Sequence, residues 1–67
     1  MTIYEKLAEW FIENRKPLIP SVLRKIISQE VGDDIGDINK MMTKIQKELK
    51  KPPMSNPFIQ AIKKLRK

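Results

Sequence analysis

Apolar residues recur at helical spacing along most of this chain, and the sharpest instance is INKMMTKIQKELKK, residues 38–51. There Ile38, Met41, Met42, Ile45 and Leu49 fall at i, i+3, i+4, i+7 and i+11, which puts them on one side of a helix. At about 100° per residue, Lys40, Lys44, Lys47 and Lys51 project within an arc of roughly 60° on the opposite side. The first side has to be buried and the second has to stay in water. One helix therefore offers a hydrophobic spine to the protein and a row of ammonium groups to its surroundings.

Three further helices can be read in the same way. Thr2 followed by Glu5 is a capping box, which starts a first helix at about 2–14. Its broad apolar face is Ile3, Tyr4, Leu7, Ala8, Trp10 and Phe11, with Ile12 off the arc; Glu5, Glu9 and Glu13 form a separate row expected to be solvated. Pro17 breaks the pattern, and Pro20 suits the first turn of a second helix at about 20–31. Val22, Leu23, Ile26 and Ile27 face inward there, Ser21, Arg24, Lys25 and Ser28 outward, and Gly32 is expected to close the helix in the left-handed conformation. In GDDIGD, residues 32–37, Ile35 is expected to enter the core and Asp37 to cap a third helix at about 37–51. Pro52 and Pro53 stop that helix, and Asn56-Pro57 starts a fourth at about 57–66 with the stripe Phe58, Ile59, Ile62 and Leu65.

No alternating stretch bounded by turns suggests a strand. The expectation is an all-α fold in one helical domain, 1–67: a small three-helix core and a short fourth, C-terminal helix. The expected core is Leu7, Trp10, Phe11, Leu23, Ile26, Ile27, Met41, Ile45 and Leu49. A helix of about ten residues does not hold in water unaided, so the fourth must dock on the body, on a second copy or on a partner.

Composition narrows the chemistry. With 40% hydrophobic and 33% charged residues, the chain is too apolar for simple disorder and too charged for a membrane span. It lacks a signal-like apolar run at its start, so the expected location is cytoplasmic, without membrane insertion. Cysteine and histidine are absent, which excludes disulfides, thiolate or imidazole metal sites and catalysis by either residue. The three carboxylates Asp33, Asp34 and Asp37 do not match a calcium loop: counted from Asp33, glycine stands fourth rather than sixth and the twelfth position is Lys44 rather than glutamate. Neither a metal nor any other cofactor is therefore expected. Without a phosphate-cradling loop or a nucleophile beside a base, the chain does not read as an enzyme.

Charge is what points outward. The net charge is +6, but residues 1–37 hold five basic and seven acidic side chains while residues 38–67 hold nine basic and a single acid, Glu48. A basic end and an acidic end would orient the molecule toward a polyanion. The same lysine row is also an ordinary way to build a solvated helix face.

The segment Lys16-Pro17-Leu18, then a helix, a glycine-bearing turn and a second helix with outward polar residues, resembles the helix-turn-helix core of winged-helix DNA-binding domains over residues 3–51. Where a winged protein adds a β-hairpin, this chain has Pro52-Pro53 and a helix. The resemblance implies a helix-turn-helix-like pair with duplex DNA as partner. Asn39, Lys40, Thr43 and Lys44 would lie near base edges and Lys47 nearer phosphate, with Lys51 continuing the row and Lys63, Lys64, Arg66 and Lys67 of the tail assisting on phosphates. A different class fits as well: a small helical regulator that binds a protein, through the C-terminal helix laid in a groove or through an exposed apolar strip, or that pairs as a homodimer through the C-terminal helix. In architecture and basic C-terminus the chain is distantly similar to the small helical immunity proteins of bacteriocin producers.

Overall fold

The computed structural model describes residues 2–66, and these form four α-helices with one short 3-10 turn: α1 (Ile3–Asn14), α2 (Pro20–Val31), α3 (Ile35–Leu49), the turn Pro53–Ser55 and α4 (Pro57–Leu65). No strand occurs among the described residues, and no helix there is long and apolar enough to cross a membrane.

Local chemistry sets the helix ends. At the start of α1 the expected capping box is complete: Glu5 N–H donates to Thr2 Oγ1 and Thr2 N–H to Glu5 Oε1, both at 3.2 Å. The helix ends where Arg15 takes a left-handed conformation, φ 52°, and donates its amide to the Phe11 carbonyl. Pro20 is the first residue of α2, as its missing amide hydrogen favours. Gly32 closes α2 at φ 87° and ψ −167°, so the glycine is required, but in an extended positive-φ conformation rather than the left-handed helical one expected.

Helix α3 lies two residues earlier than the sequence pattern suggests. Asp34, not Asp37, is its cap: the Asp34 carboxylate accepts from Asp37 N–H at 3.1 Å, and Asp37 becomes a favourable acid in the first turn. Gly36 leaves room for this, since a Cβ there would stand 3.1 Å from the capping oxygen. The shift turns Ile35 into the first helical residue and leaves it 74% exposed instead of in the core. At its far end α3 stops at Leu49, because Pro52 disfavours helical angles at Lys51. Lys50 and Lys51 then donate to the Lys47 and Glu48 carbonyls in a tightened last turn.

Leu7, Leu23, Ile26, Ile27, Met42 and Ile45 form the continuous buried core. Trp10, Met41 and Leu49, expected within it, are half-buried and packed against it. The indole is too large to be enclosed by a domain of this size, Met41 is at the edge of a wide apolar arc, and Leu49 is at the helix end. Met42, at the opposite edge, takes the buried position.

Helix α4 packs along α1 as an integral fourth member rather than an appendage. Ala61 is buried, Phe58 reaches the core, and Phe58 meets Phe11 edge-to-face with ring centroids 5.8 Å apart. That pairing, not the central cluster, is where Phe11 is used. Two ion pairs tie helices together, Lys6 with Glu30 between α1 and α2, and Lys64 with Glu5 between α4 and α1.

Asn56, 1% exposed, joins α3 to α4. Its Oδ1 accepts from Phe58 and Ile59 N–H at 3.0 and 3.1 Å, and its Nδ2 donates to the Leu49 and Lys51 carbonyls at 3.1 and 3.0 Å. One side-chain amide thus caps the start of one helix and satisfies carbonyls at the end of another, under an apolar hollow lined by Phe11, Leu18, Leu49, Phe58 and Ile59. Asn56→Ala should lower the unfolding free energy by about 2 to 4 kcal/mol, from loss of the cap and of bonds to part-buried carbonyls. Asn56→Asp, an equally good cap that cannot donate, should also destabilise; urea unfolding of Asn56→Asp at wild-type stability would show that the α3 carbonyl bonds contribute nothing.

Candidate nucleic-acid interface

The side of α3 turned away from the core carries the residues singled out by the sequence. Asn39, Lys40, Thr43, Lys44 and Lys47 are all exposed. None of Lys40, Lys44 and Lys47 forms an ion pair among the described residues. They belong to one rigid 15-residue helix whose opposite side is held by Met42 and Ile45 in the core, so the row cannot turn inward.

The other expected members differ. Lys51 lies beyond the end of α3, and its Nζ is 3.0 Å from Glu48 Oε1, so the row of four is a row of three with a neutralised fourth. On α4, Lys64 Nζ is 3.6 Å from Glu5 Oε2, while Lys63 and the capping residue Arg66 are exposed. Lys67 lies outside the described residues. Because α4 packs on α1 rather than on the exposed side of α3, its basic residues form a separate patch and do not extend the α3 row.

Glu5 and Tyr4 report how the acidic face is used. The Thr2 backbone amide bonded to Glu5 holds its carboxyl below the usual glutamate range; desolvation opposes this, and Lys64 and the Thr2 side chain reinforce it. Glu5 is therefore not part of a merely solvated row: it caps α1 and binds Lys64. Partial burial pushes the Tyr4 hydroxyl up, the Glu48 carboxylate adds to this, and Lys51 acts in the opposite sense. Glu48, the one acid of the basic half, is paired with Lys51, and both are near enough for their charges to act on the Tyr4 hydroxyl.

Along α3 the polar side chains sort by angle. At about 100° per residue, Ile35, Asn39, Thr43 and Gln46 occupy a strip between the buried spine and the lysine row. Thr43 Oγ1 donates to the Asn39 carbonyl at 3.0 Å, so its proton is engaged within the helix. Ile35 and Asn39 of this strip, with Ile38, line an open groove of about 630 Å³ whose other wall is α2, with Ser21, Arg24, Lys25 and Ser28. Arg24 and Lys25 were legible as outward-facing residues but not as neighbours of α3. Their distance in sequence from the lysine row hides that proximity, and only the packing of α2 on α3 brings it about. The exposure of Ile35 likewise needed the cap to be found at Asp34; the pair of acids three apart, Asp34 and Asp37, was the available signal.

No family model matches the chain, and no curated protein or solved structure is significantly similar to it.

The Glu5 arrangement makes a pH prediction. A carboxyl held below its ordinary value stabilises the fold at neutral pH, and that contribution is lost as pH falls through the ordinary value of 4.5 toward the lowered one. Glu5→Gln, which keeps a capping-box partner but cannot titrate, should show a smaller drop in melting temperature between about pH 6 and about pH 3, a span that brackets the ordinary glutamate value. Parallel melting curves for the two proteins would contradict the assignment.

Proposed function

We propose that the chain is a small basic DNA-binding protein of regulatory type, a helix-turn-helix-like unit that lays α3 in the major groove of a duplex. The supporting observation is the row of Lys40, Lys44 and Lys47, exposed and unpaired among the described residues, on a helix whose orientation is fixed by its buried side. An α-helix fits the major groove, and ammonium groups along its flank are placed to neutralise phosphates. Asn39 is the candidate for direct readout, since an amide side chain pairs with both the N6 and N7 edges of adenine. Lys63 and Arg66 supply a second, weaker phosphate patch. On this reading the protein is a binding module and not an enzyme.

The alternative of a protein partner taken up by the C-terminal helix has less support. The apolar side of α4 is already occupied by α1, with Ala61 and Phe58 packed between them. The exposed residues of α4 are Gln60, Lys63 and Lys64, while Ile59, Ile62 and Leu65 are half-buried.

Binding of a labelled mixed-sequence duplex, followed by fluorescence anisotropy, should weaken steeply with salt. Lys40→Ala, Lys44→Ala and Lys47→Ala should each reduce the slope of log affinity against log salt by about 0.9, the value for one phosphate contact. Lys51→Ala and Lys64→Ala should change it less, because Glu48 and Glu5 already hold those ammonium groups. Absence of binding at low salt refutes the proposal. Equal slopes for all five variants would mean that the α3 row is not the contact surface.

A further inference from the structure

The groove between α2 and α3 has a layout that the lysine row alone does not explain. Basic residues lie on two flanks, Arg24 and Lys25 on α2 and Lys40, Lys44 and Lys47 on the far side of α3. Between them Ile35 and Asn39 line the groove, and Thr43 and Gln46 continue the same uncharged strip along α3 beyond it. A major groove has the complementary order: phosphates on two edges, and between them base edges presenting hydrogen-bonding groups and the thymine methyl.

Ile35 is the residue in this strip with no structural explanation. A large aliphatic side chain 74% exposed at the start of a helix contributes little to the fold, and here it shares a groove with Asn39 one turn further on. The two side chains project from one side of the helix N-terminal turn, the part of a recognition helix that reaches base edges. The Asn39 amide is suited to adenine, and the Ile35 side chain to the 5-methyl group of thymine. Three carboxylates lie nearby, of which Asp33 is exposed with no ion pair among the described residues. Asp34 is engaged as the helix cap, and Asp37 projects from the flank of α3 away from the groove. Negative charge at the helix start also disfavours phosphate there, which leaves that end of the helix to the bases.

We infer that Ile35 and Asn39 together read an A·T-containing step, Ile35 against a thymine methyl and Asn39 on an adenine edge, while Arg24 and Lys25 hold the phosphates on the α2 side. This rests on the DNA reading above and specifies its target chemistry.

Deoxyuridine isolates the methyl group, since it replaces thymidine with loss of that group alone. The probes are a labelled alternating A·T duplex and the same duplex with deoxyuridine for thymidine, titrated at constant salt. Wild type should bind the thymidine duplex about fourfold more tightly, the factor for burying one methyl-sized group. Ile35→Ala, at an exposed position that leaves the fold intact, should bind both duplexes equally. Comparing wild type with the variant removes any effect of uracil on duplex shape. Arg24→Gln and Lys25→Gln should each lower the salt slope by about 0.9 without changing the thymidine preference. Salt-dependent binding with no thymidine preference, or a preference retained by Ile35→Ala, overturns this assignment while leaving the DNA reading in place. No binding to any duplex at low salt overturns both.

Discussion

The buried amide of Asn56 is the constraint on which the arrangement of the second half of the chain depends. Two prolines end the Lys-rich helix abruptly, and the carbonyls exposed there need donors that the backbone no longer supplies. Asn56 donates to two of those carbonyls and, with its oxygen, accepts from the first amides of α4. Every hydrogen-bonding capacity of one side-chain amide is matched, which is why a polar group at 1% exposure is stable beneath Phe58 and Ile59. The angle at which α4 leaves α3 is set at this point. That angle in turn delivers Phe58 to Phe11 and Lys64 to Glu5.

A fixed turn of this kind suits a domain whose core is small. Six side chains form the continuous interior, and much of the remaining apolar surface is covered at its edges, by Trp10 in the α1–α2 groove and by α4 laid over α1. The acidic residues of the first half contribute to the same economy of contacts: Glu5 and Glu30 close ion pairs between helices, and Asp34 caps α3. Most of the chain's acids with assigned contacts are thus engaged internally. Glu9, Glu13, Asp33 and Asp37 remain exposed without an ion pair among the described residues, as do Lys40, Lys44 and Lys47 on α3 and Arg24 and Lys25 on α2.

That partition links stability to the proposed function. A phosphate-binding surface has to keep several like charges close together without carboxylates that would neutralise them, and it has to do so on a rigid element. Helix α3 keeps Lys40, Lys44 and Lys47 without an ion pair among the described residues, with Asp37 one turn before Lys40, and loses the fourth position of the row where Glu48 captures Lys51. The uncharged strip toward α2 gives this helix a second outward surface, of different chemistry, beside the first.

Much of the fold was legible from the sequence, since helix identity follows from apolar spacing and the strong end signals act on the adjacent backbone: Thr2 with Glu5, Pro20, Gly32, and Asn56 with Pro57. The buried side of α3 and the outward side with its lysines were determined in the same way, by a period that tertiary contacts do not alter. What the sequence left open were competitions between local signals. Asp34 and Asp37 can each cap a helix, and choosing the earlier one turns Ile35 from a core residue into an exposed one. The tertiary structure alone decided which charges are neutralised and which surfaces adjoin, because pairs such as Lys64 with Glu5, and the shared groove of Arg24 with Asn39, join residues far apart in sequence. Periodicity acts within a helix and fixes its faces; the docking of one helix on another decides what those faces meet.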